Sequence, residues 1–76
     1  MKGAVAMIAL NSIMSIIPGF TVVDIKDYHN KEQYTSCSAT EYFENSLNES
    51  DKFRSLEVCS LDVENGKLII AVLPKA

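Results

Sequence analysis

Seventy-six residues, 47% of them hydrophobic and 22% charged, describe one small domain and exclude a disordered chain. The formal charge is −3, with ten Asp plus Glu against seven Lys plus Arg, and this balance argues against a nucleic-acid binder, which needs a basic face for phosphates. A single domain over residues 1–76 buries only about 60% of the surface its unfolded chain exposes, so a partner or a cross-link would matter.

The chain opens MKGAVAMIALNSIMSIIPGF, one lysine and then an uncharged run that Pro18-Gly19 breaks. An export signal would share the charge and the apolar length, but no A-x-A-like pair precedes a cleavage point. A spanning helix needs about 20 apolar residues, and Asn11, Ser12 and Ser15 interrupt this run. The favoured reading keeps residues 1–19 as a core or interface element of a cytoplasmic protein. Secretion to the periplasm is the alternative, and membrane contact is not favoured. The run is apolar on every side, so periodicity does not choose its conformation. Its length predicts a helix, with a strand over residues 5–10 as the alternative. A single element buries only part of its circumference against one sheet. Ile8, Leu10, Ile13 and Ile16 are therefore candidates for self-association or partner contact.

Residues 20–28, FTVVDIKDY, read as a strand with Val23 and Ile25 on one face and Val22, Asp24 and Lys26 on the other. His29 to Gln33 is a polar turn, flanked by Tyr28 and Tyr34 as candidate interface anchors. Ser38-Ala39-Thr40-Glu41 has the capping-box form S-x-x-E. It starts a helix that carries Ala39, Tyr42, Phe43, Ser46 and Leu47 at helical spacing. Phe43 and Phe53 are expected in the core.

Asn65-Gly66 between two strand-like runs is a hairpin signal, because a type I′ turn needs positive φ at both positions. A two-residue loop sets Glu64 against Lys67, Val63 against Leu68, Leu61 against Ile70 and Cys59 against Val72. That apolar face is expected to meet the helix. The resulting fold class is α+β: a small antiparallel sheet with a C-terminal hairpin, covered by one helix, in the order α(or β)-β-α-β-β.

Few residues suggest chemistry. His29 is the only histidine, and neither Cys-x-x-Cys nor His-x-x-x-His spacing occurs, so neither a metal nor a cofactor is expected. The three glycines are isolated and form no phosphate-cradling loop. Cys37 precedes the helix cap, and the hairpin register turns Cys59 toward that helix. A Cys37–Cys59 disulfide closing about 20 residues would add about 3 kcal/mol in an oxidising compartment. In the cytosol both would stay thiols, and Cys59 would pack as a small apolar residue.

AMIAL, TVVDIKDY, Cys37 and EVCSLDVENG follow one another over most of the chain. This order resembles small uncharacterised prophage-encoded proteins of enteric bacteria that pair an apolar N-terminus with two cysteines. The first segment here has no cysteine, and the stretch from Tyr28 to Cys37 is longer. The resemblance implies a phage accessory protein rather than a catalyst. The expected function is a small non-enzymatic protein-interaction module, a modulator or inhibitor of a host protein. An exported envelope protein stapled by Cys37–Cys59 is the alternative, and a small enzyme or redox protein comes third.

Overall fold

The computed structural model describes residues 8–74. It is an α+β fold in which a five-stranded sheet packs one face against three short helices. The uncharged opening run is divided. Strand β1 (Ile8–Ala9) leads directly into helix α1 (Leu10–Ile16), so helix and strand are each present in part. Leu10, Ile13 and Met14, spaced i, i+3, i+4, supply the buried stripe of α1. The part of the expected strand over residues 5–7 lies outside the described residues.

In strand β2 (Val22–Asp27) Val23 and Ile25 are fully buried on the face the sequence predicts and Val22 is exposed on the other, but Asp24, expected outside, is buried too. Strand β3 (Gln33–Ser38) pairs antiparallel with β2 and sets Cys37 beside Val23. The register slips between Ile25 and Lys26, leaving Tyr34 as the extra residue of a bulge.

Helix α2 (Ala39–Glu44) begins in the capping box: the Glu41 N–H donates to Ser38 Oγ at 3.1 Å, and the Ser38 N–H donates to Glu41 Oε1 at 2.9 Å. It stops earlier than helical spacing suggests, because Ser46 turns left-handed at φ 59°. A 3-10 turn (Leu47–Glu49) and the single-turn helix α3 (Asp51–Arg54) follow, and α3 delivers Phe53 to the core. Tyr42 is the largest fully buried side chain. Its ring meets Phe43 and Phe53 edge-on at 5.1 and 6.1 Å, and its hydroxyl donates to Asn11 Oδ1. Asn11 Nδ2 donates to the Asn48 carbonyl at 3.2 Å, so one polar chain joins α1, α2 and the 3-10 turn. Phe43 is 39% exposed, contrary to expectation. Neighbouring helix residues point about 100° apart, and Tyr42 takes the inward direction.

Strands β4 (Leu56–Glu64) and β5 (Lys67–Pro74) meet at Asn65 (φ 52°) and Gly66 (φ 78°). The pairs Glu64/Lys67, Val63/Leu68 and Leu61/Ile70 form as the two-residue loop dictates. Beyond them the register shifts between Val58 and Ser60, so Val58 rather than Cys59 lies opposite Val72. Cys59 is the bulged residue. The face that carries Leu61 and Val63 also fails to meet a helix along its whole length: the two are 50% and 68% exposed. Six residues of α2 span about 9 Å, whereas the nine of β4 span about 30 Å, and the hairpin tip outruns its cover.

The strand order is β1-β4-β5-β2-β3, with β5 central and parallel to β2. The sheet is therefore mixed rather than wholly antiparallel. This order also separates the cysteines. Cys37 on β3 and Cys59 on β4 have β2 and β5 between them, about 14 Å across three strand spacings. Disulfide geometry requires Cα atoms within about 7 Å. Both thiols are free, and the Cys37–Cys59 staple does not form in this fold. No described helix is long and apolar enough to cross a membrane.

Candidate functional site

Among the described residues, the helices pack on one side of the sheet. On the other side, residues of β4, β5 and β2 line a shallow groove of about 260 Å³. Its floor is Ile69 and Ala71 on β5, both half-buried. Asp62 and Glu64 of β4 form an acidic wall, and Lys26, Asp27 and Lys31 line the opposite side with mixed charge. The register sets Asp62 and Asp24 on either side of Ile69, and Ser60 and Lys26 on either side of Ala71. Asp24 is only 9% exposed and accepts the Ser36 hydroxyl at 2.6 Å, which satisfies an otherwise costly buried carboxylate.

The turn after β2 shapes the end of the groove where Lys26, Asp27 and Lys31 meet. Asp27 Oδ1 accepts the backbone N–H groups of His29 (2.8 Å) and Asn30 (3.0 Å), and its Oδ2 accepts the Tyr34 hydroxyl at 3.0 Å. These donors, Asn30 first among them, hold the Asp27 carboxyl below its ordinary pKa. Burial, and then the bond to Asp27, raise the Tyr34 phenol. Lys31 has φ 65°, and its Nζ donates to the Tyr28 carbonyl at 3.1 Å while lying 5.3 Å from the Tyr28 ring centroid. His29 is an exposed turn residue stacked edge-on against Tyr28. Among the described residues, no group of three His, Cys, Asp or Glu side chains is placed to hold a metal ion.

The interface candidates fall into two groups. Ile16 (76% exposed), Ile8 (45%) and Tyr28 (42%) stand in solvent. Leu10 and Ile13 do not: they are core residues of α1, and their candidacy as contacts is corrected. Tyr34 is half-buried against the core, with Lys52 Nζ 5.0 Å from its ring centroid, and its hydroxyl is engaged by Asp27. Tyr34 is thus a packing residue. Sequence reasoning missed Phe20, 85% exposed, together with Leu61 and Val63. Phe20 precedes the first paired residue of β2, beside the close approach of Gly19 to α2, where a Cβ on Gly19 would collide with Thr40 Oγ1. The Thr40 N–H donates to the Gly19 carbonyl at 3.0 Å. The tight turn leaves Phe20 on the outside.

Burial raises the pKa of Cys37, reinforced by Glu41; burial also raises Cys59, reinforced by Glu57 and Asp27. Both thiols are therefore held protonated, the opposite of what a nucleophilic or redox cysteine needs. No protein-family model, curated protein or solved structure matches the chain.

Proposed function

We propose that this chain is a small non-enzymatic protein-interaction module that engages a partner through apolar side chains held in water. The supporting observation is exposure: Phe20 at 85%, Ile16 at 76% and Val63 at 68% are large side chains without cover. Burying each in a partner is worth about 1.5–3 kcal/mol, enough in combination for a specific complex. The resemblance to prophage-encoded proteins directs the search to a host protein, which the chain would modulate or inhibit. The exported, disulfide-stapled alternative loses its staple with the cysteines on β3 and β4.

The test is affinity capture from an enteric bacterial lysate with the full-length chain, run beside Ile16→Asp and Phe20→Asp. Both positions are exposed, so both variants should remain folded by circular dichroism. The reading expects a stoichiometric partner recovered by the wild type and lost with each variant. Identical recoveries from all three baits would overturn it.

A further inference from the structure

Asn65-Gly66, which closes the β4–β5 hairpin, is also a chemically reactive pair. Asparagine is a thermolabile residue, and of the five in the chain Asn65 alone is followed by glycine. A side chain on the following residue crowds its amide nitrogen, and glycine has none. Asn65 and Gly66 are both exposed, and a Cβ on Gly66 would meet nothing within 4 Å. Other asparagines are tied down: Asn11 Nδ2 donates to the Asn48 carbonyl at 3.2 Å, and Asn30 Oδ1 accepts the Glu32 N–H at 2.7 Å. In a two-residue loop the closing bond joins the flanking residues, Glu64 and Lys67, so the Gly66 N–H takes no part in it.

We propose that Asn65-Gly66 is a site of spontaneous covalent modification, at which Asn65 becomes isoaspartate and releases the register of the hairpin. Solvent base removes the Gly66 amide proton, and that nitrogen attacks Cγ of the Asn65 carboxamide. A new N–Cγ bond closes a succinimide, the Cγ–Nδ2 bond breaks, and Nδ2 takes a proton from water and leaves as ammonia. Water then opens the imide at either carbonyl. Opening at Cγ gives ordinary aspartate. Opening at the main-chain carbonyl gives isoaspartate, with the main chain routed through Cβ and Cγ. In sum, asparagine and water give the acid and ammonia, with no oxidant or cofactor.

The products differ in what they do to the fold. Aspartate keeps the backbone, and Asp-Gly suits a type I′ turn as Asn-Gly does. Isoaspartate adds a methylene to the main chain between Glu64 and Lys67, and loop length is what fixes register. The longer loop no longer matches the Glu64/Lys67 and Val63/Leu68 pairs. The left-handed φ of 52° holds Asn65 in the turn, so attack waits for the tip to open. Leu61 and Val63 beside it are uncovered, which makes that opening a local event. The reaction needs no partner, so it stands or falls independently of the function proposed above.

The test is incubation of the folded full chain at mildly alkaline pH in water enriched in heavy oxygen, followed by peptide mapping. Heavy oxygen should enter at position 65 before any other asparagine, and isoaspartyl methyltransferase should label the isoaspartate there. Chromatography of the aged chains then separates the isoaspartate and aspartate forms. The urea midpoint of the isoaspartate form should fall by roughly 0.5 M or more below that of the starting protein. The aspartate form and the variant Asn65→Asp should stay within about 0.2 M of it, which separates backbone lengthening from added charge. A folded chain that takes up no label at position 65, over a period that converts the urea-unfolded chain, overturns the proposal. So does earlier labelling of another asparagine, an isoaspartate form with the starting midpoint, or equal losses in the two forms.

Discussion

Replacing Tyr42 by Phe removes one oxygen from the centre of the core and leaves the ring in place. The ring keeps its edge-on contacts with Phe43 and Phe53, so no cavity opens. The hydrogen bond to Asn11 Oδ1 is lost, and the half-buried Asn11 is reached by water. At neutral pH the loss should be about 1–1.5 kcal/mol, the usual net worth of such a bond. Alkali reverses the order. Burial raises the Tyr42 pKa to about 12, from an ordinary value of 10.0. The fold favours the neutral phenol, so its contribution is intact below pH 10 and is lost as pH rises toward 12. Two units correspond to about 2.7 kcal/mol at 1.36 kcal/mol per unit. About half of that is gone by pH 11, where wild type and Tyr42→Phe should be equally stable. Above that pH the variant should be the more stable protein. Urea unfolding of both, followed by circular dichroism from pH 7 to pH 12, measures the difference while other titrations cancel. Two curves that stay parallel across this range would refute the assignment of Tyr42 as a buried, neutral donor.

Three further outcomes follow from the same geometry. A Cβ at Gly66 would meet nothing within 4 Å, so Gly66→Val should be destabilised by backbone conformation alone, about 1–2 kcal/mol in denaturant unfolding; a loss under about 0.5 would mean another turn type. Ile13→Asp should abolish the folded signal because a buried unpaired charge costs several kcal/mol, while Ile16→Asp should change stability by no more than about 0.5 kcal/mol; equal losses would contradict the orientation of α1. The depressed Asp27 pKa makes its carboxylate stabilising above the ordinary value of 3.8, with the benefit lost as pH falls through the lower, folded value. Asp27→Asn should flatten that part of the acid limb and disorder the His29 and Asn30 amides by NMR, and an unchanged limb would remove Asp27 as the organiser of the turn.

What could be read from the residues was local. Asn65-Gly66 and Ser38-x-x-Glu41 are chemical instructions confined to four residues, and both are executed. The alternation in VVDIKD likewise identified the inward face of β2. Strand β3 escaped because QYTSCS is an edge strand with little to bury, so its polar residues carry no period-two signal. The switch from β1 to α1 falls inside a run that is apolar in all directions, where periodicity has nothing to measure. Counting outward from the hairpin turn misplaced Cys59, since a bulge adds a residue without any marker in composition. The groove depends on β5 lying between β4 and β2, a pairing between residues more than forty apart in sequence, and no local pattern encodes it.

The position of β5 has a consequence for how the protein comes into being. The strand at the middle of the sheet is the last of the five described strands to be synthesised. Until it emerges, β2 with β3 and β1 with β4 are two separate pairs with no shared hydrogen bonds. Translation cannot complete the sheet in stages from one edge; the nascent chain must wait for β5 and then close both halves at once. A message truncated just before Lys67 would leave two unjoined pairs with exposed strand edges, a product suited to rapid degradation rather than to partial activity.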